Sequence, residues 1–110
     1  RVRFGLRLLF EQQPGWNVAG EVGDAQALLD AVHLGCPDIV LIDWELPGMP
    51  AEELLAQIRQ LCPRLGVVFM SGKLELRSMA LLAGADIFAY KADPPEKLLE
   101  QIREFILEKQ

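Results

Sequence analysis

The sequence predicts an α/β protein built on a parallel sheet, and three observations support this prediction. Apolar segments of two kinds alternate along the chain: short runs rich in β-branched residues, and longer segments with apolar residues every three or four positions. Proline, glycine or aspartate stands between most neighbouring segments, so the connections are short. Strict alternation of strands and helices with short connections favours parallel strands joined by right-handed crossovers.

The amino-terminal part is predicted to form a helix, a strand and a second helix. The first helix is expected over residues 1–13, where a Pro-Gly pair ends it, and the strand over residues 16–22. Asp24 can cap the second helix, because its side chain can accept hydrogen bonds from the first helical N–H groups. This helix runs to about Leu34. The residues expected to face the core are Ala27, Leu28, Ala31 and Val32.

The central part contains the strand around which the chain is organised. Asp38–Asp43 is a short apolar run between charged ends, which is typical of a strand buried on both faces of a parallel sheet. A Pro-Gly pair opens the loop that follows it. Residues 51–61 are predicted to form a helix and residues 65–70 the next strand. The apolar face of this helix comprises Leu54, Leu55, Ile58 and Leu61.

The carboxyl-terminal part repeats the alternation of helix and strand. Residues 73–83 are predicted to be helical with apolar side chains almost all round, which is typical of a helix that contacts a further surface. Residues 86–90 form the last predicted strand. The segment Asp93-Pro94-Pro95-Glu96 resembles a capping box at the start of the final helix. Its inward-facing residues are expected to be Leu98, Leu99, Ile102, Phe105 and Ile106.

Length, composition and charge restrict the function classes. The chain has 110 residues, of which 51% are hydrophobic, so one globular domain with a core is expected. The formal net charge of -5 argues against a general attraction to nucleic acid or to an acidic membrane surface. No apolar run approaches ~20 residues, so no membrane span is predicted. Because the chain begins at Arg1 with neither a methionine nor a signal peptide, a trimmed fragment is expected.

The cysteines and the single histidine do not form a metal-binding pattern. Cys36 and Cys62 each precede a proline, between a predicted helix and a predicted strand. Without a C-x-x-C motif, a metal site is not expected. Both cysteines are predicted to be reduced and to pack as small apolar side chains in the cytoplasm, rather than to form a disulfide. His33 is expected to be solvated or to cap its helix.

Three polar residues follow three successive predicted strands: Asp43, Ser71 and Lys91. In a parallel sheet the carboxyl ends of the strands meet at one edge, where ligands gather in open α/β folds. A carboxylate, a hydroxyl and an ammonium group are therefore expected to converge. This set suits phosphoryl chemistry, with the carboxylate as nucleophile, the lysine neutralising phosphate oxygens and the hydroxyl donating to one of them.

Several motifs together resemble the receiver domain of bacterial two-component response regulators. They are the strand and loop over residues 39–49, Met70-Ser71-Gly72, Gly84-Ala85-Asp86, and Phe88–Lys91 followed by Pro94-Pro95. Residues 2–7 and 14–21 resemble the LuxR-like class of this family. The resemblance implies a flavodoxin-like (CheY-like) doubly wound parallel sheet. It also implies that residues 1–110 form one receiver domain, truncated at its amino end, whose usual first, central strand is missing from this chain.

The resemblance implies a role for each site residue. Asp43 would be the phosphoacceptor, phosphorylated by a histidine kinase, and Lys91 would pair with the phosphoryl group. Ser71 and Phe88 match the hydroxyl and aromatic residues that switch position together. Mg²⁺ would be bound by Asp43 and the backbone carbonyl of Glu45. The family's acidic pair, which also binds Mg²⁺, would precede Arg1, so weak or absent phosphorylation is expected of this chain.

Two functions are compatible with these features. The leading one is a cytoplasmic, phosphoacceptor signalling domain, not an enzyme in its own right, that controls an output such as transcription without itself binding nucleic acid or membrane. The alternative is a phosphorylation-independent, receiver-like module for protein interaction or dimerisation. A homodimer could use Phe4 and Leu8, or the apolar helix over residues 73–83, and the sequence does not decide between them.

Overall fold

The computed structural model describes residues 10–16 and 22–109, which form an α/β fold. Residues 10 and 11 are helical. The strands are β1 (Ile39–Asp43), β2 (Gly66–Ser71) and β3 (Ile87–Tyr90). The helices that follow are α1 (Ala25–Leu34), α2 (Ala51–Leu61), α3 (Arg77–Leu82) and α4 (Pro95–Lys109), with a 3-10 helix, Leu74–Leu76, before α3.

Two predicted elements fall mainly outside the described residues. They are the helix over residues 1–13, of which residues 10 and 11 are seen as helical, and the strand over residues 16–22. Phe4 and Leu8, one of the two suggested dimer contacts, also lie outside. The comparison of prediction and structure therefore concerns the chain from α1 onward.

The predicted parallel sheet is confirmed. The strand order is β1-β2-β3, and both pairs of neighbours run parallel. In the register, Asp43 lies opposite Met70, and Ser71 lies opposite Tyr90. The carboxyl ends of all three strands consequently meet at one edge of the sheet.

Helices cover both faces of the sheet, as in a doubly wound fold. On one face, β1 and β2 pack against α1, α2 and the fully buried Ala80 of α3. On the other face, Val68 and Ile87 pack against Leu98 and Ile102 of α4. Alternate residues of each strand contribute to the two cores, because successive side chains of a strand point to opposite faces.

The bounds of α2 agree with the prediction, but some predicted inward-facing residues are wrong. Leu61 is 39% exposed, and Ala31 of α1 is exposed. In α1, Ala25 and Leu29 are buried although they were not among the predicted core residues. The backbone N–H of Ala25 donates to the Pro47 carbonyl at 2.8 Å, which places the first turn of α1 against the loop after β1. The Asp24 cap is confirmed, because its Oδ1 accepts from the N–H of Ala27 at 2.8 Å.

The predicted helix over residues 73–83 is divided into the 3-10 helix and the six-residue α3. No side chain caps either segment, and the N–H of Lys73 is bound by Ser71 Oγ at 3.0 Å. The helix therefore starts later than expected. Its predicted apolar surface is real. The exposed large apolar side chains of this segment are Leu74, Met79, Leu81 and Leu82.

The prediction of two free thiols is wrong, because Cys36 and Cys62 form a disulfide with Cα atoms 5.8 Å apart. This separation is ordinary for a disulfide. Each cysteine lies in the connection that enters a strand, and β1 and β2 are neighbours in the sheet. Parallel pairing brings the two connections side by side at the edge opposite Asp43.

Gly66 begins β2 at a point where a neighbouring aromatic ring lies close to the backbone. A Cβ atom there would lie 2.6 Å from Cε2 of Phe105 and 3.1 Å from Cγ1 of Ile39. Real Cβ contacts are essentially never as short as 2.6 Å, so a side chain at residue 66 would force the Phe105 ring of α4 to move away from the sheet. The close approach lets the half-buried Phe105 cover the start of β1 and β2.

Arg59 of α2 joins three parts of the chain at the amino edge of the sheet. Its guanidinium donates to the carbonyl of Leu65, to the carbonyl of Gly84 at 2.9 Å and to the Asp86 carboxylate at 2.8 Å. The same Asp86 oxygen accepts from the N–H of Val67 at 2.8 Å. The planar guanidinium suits such a junction because its donors point in fixed directions.

Replacing Arg59 by methionine is expected to lower the free energy of unfolding by about 2 kcal/mol, since two carbonyls and a carboxylate lose their donor. Urea denaturation followed by circular dichroism measures this change. The matched control is Arg64→Met, at an exposed arginine, which is expected to change stability by less than about 0.5 kcal/mol. Equal losses for the two variants would contradict the assignment of Arg59 as a junction.

Candidate functional site

Asp43 and Lys91 form an ion pair at the carboxyl edge of the sheet. Lys91 Nζ lies 2.5 Å from Asp43 Oδ2, and the side chains are 34% and 39% exposed for Lys91 and Asp43 respectively. The other carboxylate oxygen, Oδ1, accepts from the backbone N–H of Glu45 at 2.9 Å. The predicted convergence of this carboxylate and ammonium group is confirmed, and both remain accessible to solvent.

The strand register explains why residues 48 positions apart meet. Asp43 ends β1, and Lys91 follows the last residue of β3. Backbone hydrogen bonds continue past the strand ends, from the N–H of Trp44 to the Met70 carbonyl at 2.8 Å and from that of Lys91 to the Ser71 carbonyl at 2.9 Å. These bonds hold Asp43 and Lys91 on either side of β2.

Ser71 lies within β2, as its last residue, and is only 2% exposed. Its Oγ accepts from the N–H of Lys73 at 3.0 Å. In the part of the chain that the structure describes, Ser71 forms no hydrogen bond with the side chains of Asp43 or Lys91. A hydroxyl that accepts one hydrogen bond still has its own hydrogen to donate. Ser71 is therefore a buried neighbour of the ion pair and also holds the turn before the 3-10 helix.

Phe88 is buried within β3, with an exposed fraction of 6%. It lies opposite Phe69, two residues before Ser71 on β2, so Phe88 and Ser71 are directed to the same face of the sheet. That face is covered by the core that contains Ala80 of α3. Phe88 therefore lies in the core beneath α3, on the same face of the sheet as Ser71.

The loop after Asp43 is tightly folded. The N–H of Leu46 donates to the Asp43 carbonyl at 2.9 Å, and the Pro47 carbonyl accepts from α1. Gly48 has a φ of +115°, and a Cβ there would lie 3.2 Å from the Cβ of Ala25. Glycine is needed for both the conformation and the close approach. The predicted Pro-Gly pair thus lies against the first turn of α1, and Glu45 precedes it in the same loop.

Sequence reasoning missed the part played by backbone N–H groups. The Glu45 N–H binds Asp43, and the Lys73 N–H binds Ser71. In both cases the donor stands two residues after the side chain that accepts, as is common where Asp or Ser begins a turn. The Pro-Gly and Gly residues just beyond each position were the available signal.

The described residues do not provide a full set of magnesium ligands. The Asp43 carboxylate and the Glu45 carbonyl are oxygen donors of the kind that Mg²⁺ prefers. Within residues 10–16 and 22–109, however, no three His, Cys, Asp or Glu side chains are grouped closely enough to hold a metal. One carboxylate that is already paired with a lysine does not fit an octahedral Mg²⁺ site by itself.

A paired aspartate and lysine and a buried serine thus lie at one edge of a parallel sheet. The chain belongs to the family of response regulator receiver domains, whose model matches residues 1–103. Domains of this family act with histidine kinases, often dimerise and generally bind Mg²⁺.

Curated relatives confirm a receiver domain of LuxR-like response regulators. The chain is 36% identical over 104 residues to the transcriptional activator protein ExaE of Pseudomonas putida, which covers 93% of this chain and 49% of that protein. It is 30% identical over 105 residues to the nitrate/nitrite response regulator protein NarL of Escherichia coli (strain K12), with coverages of 94% and 49%. The chain thus spans about half the length of these relatives.

Solved structures confirm the fold. A LuxR-family two-component response regulator from Aurantimonas sp. SI85-9A1 superposes with a TM-score of 0.88 at 29% identity, covering 97% of this chain and 78% of that one. A CheY-like receiver domain protein from Methanospirillum hungatei JF-1 superposes with a TM-score of 0.84 at 28% identity, with coverages of 97% and 86%. Among the described helices, none has the length and apolar character needed to cross a membrane.

Proposed function

We propose that Asp43 accepts a phosphoryl group from a histidine kinase and that Lys91 stabilises the charge on that group. The observation that carries this proposal is the ion pair between Asp43 Oδ2 and Lys91 Nζ at the exposed edge of the sheet. A carboxylate is a suitable nucleophile for phosphorus, and a lysine beside it neutralises charge that develops on the phosphoryl oxygens.

The transfer forms one bond and breaks another. A carboxylate oxygen of Asp43 attacks phosphorus, and the phosphorus–nitrogen bond of the kinase phosphohistidine breaks, so that the imidazole leaves with its electron pair and an acyl phosphate remains. The Glu45 N–H holds Oδ1, which orients the carboxylate. The exposure of the pair gives the kinase access. Mg²⁺, where bound, would neutralise phosphoryl oxygens, and Asp43 with the Glu45 carbonyl would be its ligands from the described residues.

The response to this charge involves Ser71 and Phe88. A new acceptor at Asp43 would attract the Ser71 hydroxyl, which at present is held by the N–H of Lys73. Movement of Ser71 would release the turn before the 3-10 helix and leave space for Phe88 on the same face of the sheet. The output surface would be α3 and the 3-10 helix, and the output of the whole protein would be transcription in the cytoplasm.

Intact mass spectrometry after incubation with acetyl phosphate and Mg²⁺ tests the proposal. We expect the mass of one added phosphoryl group on a minor fraction of the chain, because the described residues do not provide a full set of Mg²⁺ ligands, and no added phosphoryl group on the Asp43→Asn variant. Asp93→Asn is the matched control, because Asp93 also pairs with a lysine, Lys97, at 3.1 Å, but lies outside the proposed site. A mass gain that persists in Asp43→Asn would disprove the assignment of Asp43.

The second candidate function is a phosphorylation-independent interaction module. It is favoured by the exposed apolar side chains of the 3-10 helix and α3, of which Leu82 is 89% exposed. Such a group of apolar residues on a helix surface suits a protein contact. Failure of phosphorylation together with a concentration-dependent dimer that is weakened by Leu82→Asp, measured by sedimentation equilibrium, would support this function instead.

A further inference from the structure

The disulfide between Cys36 and Cys62 joins the far ends of a helical pair whose near ends are joined at the candidate site. At the site end, the N–H of Ala25 in α1 binds the Pro47 carbonyl of the loop that leads into α2. At the opposite end, Cys36 follows α1 by two residues and Cys62 follows α2 directly. The α1–α2 pair is therefore held at both ends. One end is held by a backbone hydrogen bond and the other by a disulfide, a covalent bond that thiols can break and oxidants can form again.

The two cysteine residues differ in exposure. Cys36 is an exposed residue in the connection before β1, whereas Cys62 is 2% exposed and packs in the core. Thiol–disulfide exchange begins with attack of a thiolate on an accessible sulfur. This difference directs an incoming thiolate to Cys36 and makes Cys62 the leaving group.

The reduced form already has hydrogen-bond acceptors in place. Cys36 Sγ lies 3.7 Å from the Leu61 carbonyl, and Cys62 Sγ lies 4.0 Å from the Val32 carbonyl. Each sulfur thus faces a carbonyl at the end of the opposite helix. A buried Cys62 thiol would have a partner after reduction, so breaking the disulfide leaves no buried polar group unsatisfied.

From these contacts we propose that the Cys36–Cys62 disulfide is a reversible redox switch, opened by a dithiol reductant, that sets how firmly the ends of α1 and α2 are held together. This proposal is independent of phosphorylation at Asp43.

One thiolate of the reductant attacks Cys36 Sγ, the disulfide breaks, and the Cys62 thiolate leaves and takes a proton from water. The second thiolate of the reductant then attacks the reductant sulfur that is bonded to Cys36 Sγ. This closes the reductant's own disulfide and releases Cys36, which takes a proton from water. The protein gains two electrons and two protons, and the dithiol is oxidised to a disulfide.

Thiol trapping after reduction under native conditions tests reversibility. The folded chain is treated with oxidised glutathione, with dithiothreitol, or with each in turn, then quenched with N-ethylmaleimide in urea, which exposes the buried Cys62, and weighed intact. We expect no adduct after oxidation, two after reduction without denaturant, and none after re-oxidation. Two adducts in the oxidised sample, or reduction that requires denaturant, would each overturn the proposal.

Hydrogen exchange measured by mass spectrometry tests the structural consequence. On reduction, peptides covering the ends of α1 and α2 are expected to exchange at least about tenfold faster, with a smaller change in α4. The Cys36→Ser variant should exchange like the reduced chain in either buffer. Unchanged exchange, or an equal acceleration in α4, would overturn the switch, because the second result reports only a general loss of stability.

Discussion

Replacing Lys91 by methionine is expected to slow phosphoryl transfer from acetyl phosphate to Asp43 by about 100-fold, which is a usual loss when one charge-stabilising donor is removed from a reacting oxygen. Nζ of Lys91 lies 2.5 Å from the carboxylate that is proposed to react, so Lys91 is placed to neutralise charge on the transferred group. The rate of mass gain by intact mass spectrometry measures the effect.

Folding and chemistry can be separated in this experiment. The Lys91–Asp43 pair is about one-third exposed on each side, and exposed ion pairs contribute ~1 kcal/mol or less to stability. We therefore expect the thermal unfolding midpoint of Lys91→Met to stay near that of the unsubstituted chain. Lys97→Met removes a lysine from a similar pair with Asp93 and should leave the rate unchanged. A rate loss of the same size in both variants would show that Lys91 has no special role.

The meeting of Asp43 and Lys91 is predictable because it depends on strand order and strand ends alone. Each residue closes a short apolar run, and parallel strands place such positions at one edge of the sheet. The same reasoning places Ser71 at this edge. It does not show that Ser71 is buried and bound to Lys73, because that contact depends on the turn conformation after β2.

Helix bounds and helix orientation differ in how well sequence patterns predict them. The bounds of α2 agree because the apolar residues that recur every three or four positions start after Pro50 and end before Pro63. In α1, apolar residues occupy so many positions that several rotations about the helix axis are compatible with the pattern. The observed rotation buries Leu29, and the contact between Ala25 and the loop after β1 favours it. That contact joins distant parts of the chain and is invisible in a local pattern.

The disulfide was missed because cysteine spacing carries no information on distance. Cys36 and Cys62 are 26 residues apart, and the expectation of reduced thiols followed from the presumed compartment rather than from geometry. A signal was nevertheless present, since each cysteine precedes a proline just before one of two successive strands. Neighbouring parallel strands bring equivalent positions together, and Ile39 pairs with Gly66 within a few residues of the two cysteines.

Breaking the Cys36–Cys62 disulfide is expected to lower the free energy of unfolding by about 3 kcal/mol and the thermal midpoint by roughly 12–24 °C. The cross-link closes a segment of 26 residues in the unfolded chain, and without it the unfolded state gains conformational freedom. The folded state changes little, because Leu28, Val32, Leu54 and Ile58 remain packed between α1 and α2. Scanning calorimetry with and without dithiothreitol measures the difference.

The Cys36→Ser variant distinguishes this entropic effect from an effect of the reductant on the rest of the protein. Its midpoint should match that of the reduced chain and should not respond to dithiothreitol. Because serine nearly preserves the volume of the exposed Cys36 side chain, packing losses stay small compared with the loss of the cross-link. If Cys36→Ser were as stable as the oxidised chain, the disulfide would contribute no stability. If instead both reduction and Cys36→Ser lower the thermal midpoint by the same amount, the stability of α1 and α2 depends on the disulfide as well as on the core that the two helices share.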